Sequence, residues 1–325
     1  MFINQFLKFE PILKEKIWGG EKLQKVLHKE TSQTNVGESW EISDVDNATS
    51  IVANAALKGE NLKELIAHFK GALVGEKIYQ SFGENFPLLI KFIDAKEALS
   101  IQLHPNDELA RKRHNSFGKT EMWYVMQADE NADLIVGFKE EITSESYLKN
   151  LENKTLTDVL HINEVAEGDV YFIPTGTVHA IGAGVLLAEI QQTSDVTYRV
   201  YDWDRPNLDG TYRELHTEEA LDAIDYGVQE TYKISYSKEN NKEATLVNCP
   251  YFTTNILSIS STIVLNHADK DSFVIYMCVK GEVSFVYQNQ LEKLSYGETI
   301  LVPACMQNIE IIPAKASELL EVYIR

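Results

Sequence analysis

Cysteine is scarce: Cys249, Cys278 and Cys305 are the only three in 325 residues. Their number is odd and none stands in a Cys-x-x-Cys pair, which excludes a disulfide framework and a zinc-thiolate cluster and fits a reducing compartment. Long apolar runs are missing as well. No stretch reaches about eighteen uninterrupted apolar residues, and Lys8 and Glu10 break the apolar start of the chain, so the sequence predicts neither a membrane span nor a signal peptide. Positive charge is in deficit, with 30 Lys and Arg against 49 Asp and Glu and a net charge of −19. A chain this acidic offers no broad positive face to nucleic acid or to an anionic membrane. The expectation is a cytoplasmic protein with neither as partner, in which any anionic substrate needs a local basic island.

What is present is an ordinary globular composition, 44% hydrophobic, enough to bury a sizeable core. Within it, Ser100 to Pro105 reads as a short strand that sets Gln102 and His104 at i and i+2, on one face. Glu121 opens a second apolar run, and His179 stands just past the turn that ends Gly168 to Thr177. Two histidines, one glutamate and one glutamine form a set of borderline nitrogen and hard oxygen donors that suits zinc or a similar divalent ion.

The remaining chain reads as support for that set. Trp18 precedes Gly19-Gly20 and is placed at a turn, as a candidate to line a pocket. Gly37 to Ser43 predicts a half-buried strand, with Ser39, Glu41 and Ser43 on one face and Trp40 and Ile42 on the other. Leu62, Leu65, Ile66 and Phe69 have helical spacing. Lys91 is the one cation in an apolar run and lies either at a sheet edge or in a polar site. Pro105 is expected as the first residue of a helix through 107–113. Residues 121–138 predict two strands, residues 140–161 a helical insertion with Thr143 or Ser144 as cap, and sheet again from Glu164. Val185 to Gln192 has the pattern of a buried strand that carries Glu189, and Thr217 is expected to cap a helix over 218–225 closed by Gly227. From Tyr232 onward the chain reads as nearly all β, with apolar runs at 252–259, 273–279, 283–287, 299–303 and 319–324.

A repeat is visible. Gly168 to His179 has the form G-x5-P-x-G-x2-H, and Gly297 to Pro303 repeats the G-x5-P spacing, followed by Cys305 and Asn308 where the first copy has glycine and histidine. Two related β units follow, one with a metal site and one without. The pattern resembles the second motif of the cupin family, which implies jelly-roll barrels with the metal inside one mouth. The expected fold is mainly β, two cupin-like jelly-roll barrels with helical insertions at about 60–80, 105–115, 140–161 and 217–226. The expected division is a metal-binding catalytic domain over 1–235 and a degenerate domain over 236–325.

Taken together, Gln102-x-His104-Pro105, Lys119-x-Glu121, His179 and the tract Glu189, Asp195, Arg199 resemble the type I mannose-6-phosphate isomerase family in its short bacterial form. The resemblance implies a phosphorylated hexose as substrate and one zinc ion held at Gln102, His104, Glu121 and His179. It makes Asp195 a candidate base and Arg199 a cation that stabilises an enediolate, with Glu189 lining the site. Lys119, two residues before Glu121 and on the same side of an extended segment, is a second candidate for proton transfer. Trp18, Lys91 and Ser100 are candidates for substrate contact. The sequence departs from longer members of the family in having Arg205 where many carry lysine in a Gly-Leu-Thr-Pro-Lys context, and Arg205 is the expected phosphate grip. The expected assembly is a monomer or weak homo-oligomer. Rival readings are a cupin oxygenase, a non-catalytic sugar-binding cupin, and an isomerase of another phosphosugar.

Overall fold

The structure, a computed structural model, describes residues 3–207 and 209–325. All eight residues of the strand Val185–Gln192 are buried, as expected of an apolar run covered on both faces. It pairs with Leu88–Ala95 on one side and Glu121–Ala128 on the other. These three strands are the middle of a six-stranded antiparallel sheet, completed by Ile12–Gly20 and Val36–Ile42 at one end and Val170–Ile173 at the other. A five-stranded sheet lies over it, in the order Tyr198–Tyr201, Ile101–Leu103, His179–Ile181, Asp133–Phe138, Leu160–Glu164. Trp18, Ile93, Trp123, Val136, Ile181 and Leu187 pack between the two.

A second pair of sheets repeats this plan. Five strands (Lys242–Asn248, Thr253–Ile259, Ser317–Tyr323, Val274–Lys280, Thr299–Val302) face four (Ile263–Asn266, Asn308–Pro313, Glu282–Tyr287, Gln290–Ser295) across a core that includes Tyr276, Phe285, Leu294 and Ile309. The largest core joins the two pairs. Phe92, Met122, Ala188 and Ile190 from the outer face of the six-stranded sheet meet Ile256, Ile275, Met277 and Leu320, while helices Leu62–Phe69, Gly71–Val74 and Glu76–Phe82 flank them. The protein is mainly β, in stacked layers. The pairing forms separate sheets, and no ladder among the described residues closes either pair into a barrel. No helix among the described residues is long and apolar enough to cross a membrane.

Several local expectations change. Trp18 lies within a strand and not at a turn, because the glycines after it are strand residues: a Cβ on Gly19 would come within 2.2 Å of the Asn35 carbonyl oxygen. Val36–Ile42 is buried on both faces: Glu38 and Trp40 line the cleft, while Glu41 pairs with the buried Lys29. Lys91 sits in a central strand, which removes the edge alternative. Pro105 precedes the helix Asp107–His114, whose cap is Asn106, its side chain accepting from Leu109 N at 3.0 Å. Thr143 does cap the helix Ser144–Glu152, but sheet resumes at Leu160. Thr217 is inside a short helix, Thr217–Leu221, that ends well before Gly227. Lys242–Asn248 carries too many exposed polar positions to read as an apolar run, and Ile263–Asn266, Gln290–Ser295 and Asn308–Pro313 are further strands outside the expected runs, with Val264, Leu291 and Ile312 exposed. The segment before residue 10 also pairs away from its own unit: Leu7 and Leu301 exchange backbone hydrogen bonds of 3.0 and 2.8 Å.

Ile190 follows the cleft-lining Glu189 on the opposite face of the strand and points into the joining core. Ile190→Ala should lower unfolding free energy by about 2–5 kcal/mol in a urea titration; a loss under about 1 kcal/mol would contradict a closely packed layer there.

Candidate active site

His104 follows the strand Ile101–Leu103, and His179 begins the strand paired with it, so that His179 and Gln102 are register partners. Glu121 begins the facing strand Glu121–Ala128. All three side chains are buried. His104 Nδ1 lies 2.8 Å from the Val196 carbonyl oxygen and His179 Nδ1 lies 2.9 Å from that of Thr177. A neutral ring that donates through Nδ1 keeps its Nε2 lone pair for a cation. Both Nε2 atoms point at Glu121, at 3.4 Å from Oε2 and Oε1 respectively. The donor atoms of His104, Glu121 and His179 lie within 4.8 Å of one another, the only such group among the described residues.

Electrostatics fits the same purpose. Burial and then the Lys119 cation hold His104 well below the usual imidazole range, and burial takes His179 down to about 4. Burial raises the Glu121 carboxyl despite Lys119, whose Nζ is 2.9 Å from Oε2 and 3.1 Å from His104 Nε2. Glu121 Oε1 and His179 Nε2 have no hydrogen-bond partner. Two neutral nitrogens and a buried carboxylate with orphaned atoms are the donor set a dication satisfies. Gln102 lines the cleft above them, with Ser100 Oγ 3.3 Å from its Oε1.

The cleft floor is one transverse row of the six-stranded sheet. Trp40 is the register partner of Lys91, Lys91 of Glu189, Glu189 of Trp123, and Trp123 of Tyr171. Glu189 accepts from Lys91 Nζ and from Trp123 Nε1, both at 2.9 Å. Burial pushes its carboxyl up, yet Lys91 and Lys119 outweigh that and hold it below the usual range; Glu189 and Glu38 in turn keep Lys91 charged against its own burial. The floor is therefore rigid and electrically paired.

The second sandwich has the same row without the ligands. Asn255 and Tyr276 flank Glu321 in register, and Ile300 partners Tyr276, three residues after Gly297 as Tyr171 is three after Gly168. Glu321 accepts from Asn255 at 2.9 Å, from Tyr276 at 2.8 Å, and pairs with Lys270 at 2.8 Å. Asn308 stands where the first copy has His179.

Of the residues singled out from sequence, Trp18, Lys91, Ser100, Gln102, Lys119, His179, Glu189, Asp195 and Arg199 line one cleft, with His104 and Glu121 beneath it. Arg205 does not. Trp203 and Asp204 both adopt positive φ, 58° and 49°, and the turn folds Arg205 back onto Asp202, 3.1 Å away, and the Ala98 carbonyl oxygen at 3.0 Å. Sequence reasoning missed Lys16, Glu38, Trp40 and Arg213, which also line the cleft. Lys16 carried a signal, since it shares a strand face with Trp18; Arg213 lies in an irregular loop and carried none.

Residues 6–164 match the catalytic domain of phosphomannose isomerase type I, and residues 242–314 match the cupin domain of mannose-6-phosphate isomerase. The sequence is 35% identical over 300 residues to mannose-6-phosphate isomerase ManA of Bacillus subtilis, covering 91% of this chain and 92% of that one. It is 33% identical over 312 residues to the mannose-6-phosphate isomerase of Streptococcus mutans, covering 94% and 96%. The crystal structure of the mannose 6-phosphate isomerase from Bacillus subtilis superposes with a TM-score of 0.90 at 32% identity, over 99% of this chain and 100% of that one. A putative mannosephosphate isomerase from Archaeoglobus fulgidus shares the fold, with a TM-score of 0.80 at 21% identity over the full length of both chains. With likeness of this extent along the whole sequence, the chain belongs to the type I phosphomannose isomerase family and is an aldose-ketose isomerase.

Proposed function

We propose that this enzyme interconverts mannose 6-phosphate and fructose 6-phosphate by moving a proton between C1 and C2 through an enediol or enediolate. The observation that carries the reading is the buried His104, Glu121 and His179 set opening onto a cleft lined by Lys91, Lys119 and Arg199. Gln102, His104, Glu121 and His179 would hold one divalent ion, and their donor chemistry favours zinc. Such an ion supplies Lewis-acid polarisation of the substrate carbonyl. The Arg199 guanidinium, whose partners are neutral, favours an anionic sugar over the dioxygen of an oxygenase. Cytoplasmic location and a jelly-roll reading of both sandwiches go with this proposal.

The chain's own groups do the rest. Trp18 and the Glu189 row give the sugar a rigid wall and floor, which fixes its orientation at small entropic cost during reaction. Ser100 Oγ stands 3.3 Å from Arg199 Nε, and the Glu214 carbonyl oxygen accepts from Arg199 Nη1 at 2.9 Å, so the guanidinium is oriented by neutral groups. Arg199 has no carboxylate partner among the described residues and keeps its charge for a developing oxyanion. Asp195 lines the same cleft and its carboxylate has no hydrogen-bond or ion-pair partner among the described residues, which leaves it free to take a proton. Lys119, held between His104 and Glu121, is the other group able to pass one.

Chelator-stripped protein should form no fructose 6-phosphate from mannose 6-phosphate in a coupled assay, and zinc should restore turnover. Inactive protein that is folded and metal-replete would sink the isomerase reading; full activity after stripping would remove the metal. Since both rings must be neutral to ligate, bound metal should persist at pH about 6 and be lost toward about 4, where His179 protonates, as read by metal content after dialysis. Asp195→Asn should lower kcat by about 10²–10⁴ with KM little changed if Asp195 is the base. The same pattern in Lys119→Met, with metal retained and Asp195→Asn active, would reassign the step to Lys119.

A further inference from the structure

We propose that Arg213, and not Arg205, is the group that binds the substrate's phosphate. The inference rests on the phosphosugar isomerase reading and adds the specificity-determining residue. Most cations of the cleft are already neutralised: Lys91 by Glu189 at 2.9 Å, Lys119 by Glu121 at 2.9 Å, and Lys16 by Glu38 at 3.1 Å. Two guanidinia also line the cleft. Arg199 has only neutral partners. Arg213 shares the buried carboxylate of Asp202 with Arg205, which also pairs with the exposed Glu97 at 3.4 Å, so three arginines stand near two acids. Burial, and next the charge of Arg213, make the Arg199 guanidinium easier to deprotonate, which places the two positive charges within electrostatic reach of each other. A surplus of positive charge at the cleft wall is a site for a dianion.

The geometry separates the two candidates. Asp202 accepts from Arg213 Nε at 2.7 Å and also from Nη2, which clamps one edge of the guanidinium. Nη1 has no protein partner among the described residues, and the side chain lines the cleft. Arg205 spends Nη1 on the Ala98 carbonyl oxygen and the Glu97 carboxylate and Nη2 on Asp202, and its side chain borders a different depression, with Glu15, Thr34 and Pro206. Its role is to brace Asp202 from behind.

The test compares wild type, Arg213→Gln, Arg213→Lys and Arg205→Gln, all metal-replete and checked for folding by near-UV circular dichroism. Inorganic phosphate is used both as competitive inhibitor of mannose 6-phosphate turnover and as titrant in calorimetry. Arg213→Gln should raise KM and the phosphate inhibition constant together by about tenfold to a hundredfold, with kcat within about threefold, and Arg213→Lys should restore part of the loss. An unchanged inhibition constant in Arg213→Gln, or a larger rise in Arg205→Gln, would overturn the assignment. If the wild type fails to turn over mannose 6-phosphate, calorimetry still decides: phosphate binding lost in Arg213→Gln supports the site, and no binding to wild type removes it.

Discussion

A carboxylate buried between two neutral imidazoles, with oxygen and nitrogen atoms left unbonded, is costly unless positive charge is supplied at that point. The catalytic sandwich is arranged around meeting that demand. His104 and Glu121 come from facing sheets, and His179 is brought beside Gln102 by strand pairing, so the donor set exists only when both layers are in register. The backbone carbonyls of Val196 and Thr177 hold the rings by Nδ1 and so determine which nitrogen faces inward.

The same charge logic extends outward. Along the Trp40, Lys91, Glu189, Trp123 row every polar atom has a fixed partner, and the floor is preorganised without adding net charge. Positive charge is in excess only higher on the wall, where Arg199 has neutral partners and Arg213 shares Asp202 with Arg205, and where an anionic substrate would arrive. An acidic protein thereby keeps a small basic island, and the island is built by pairing off its other cations rather than by accumulating them.

The second sandwich shows what happens to such a row when the ligands go. Glu321 occupies the place of Glu189 but is engaged by Asn255, Tyr276 and Lys270, with Glu243 also bonded to Asn255 at 3.3 Å. Its remaining task is architectural: the outer face of that sheet packs against the outer face of the catalytic one through Ile256, Ile275, Met277 and Leu320. The rigid backing of the cleft floor depends on this layer.

Much of this was legible in the sequence. Residue type and order pointed to the four candidate ligands, the G-x5-P repeat pointed to two related units, and the uninterrupted apolar run of 185–192 pointed to a central strand, because periodicity and donor chemistry are local properties that folding does not alter. Strands with exposed polar positions, such as Lys242–Asn248, were hidden because their pairing is decided by neighbours and not by their own composition. Arg205 and Arg213 are the same residue type in one irregular stretch, where no period reports the direction of a side chain. Only the tertiary structure decided between them, through a turn at Trp203 and Asp204 that folds Arg205 behind Asp202 and leaves Arg213 on the cleft.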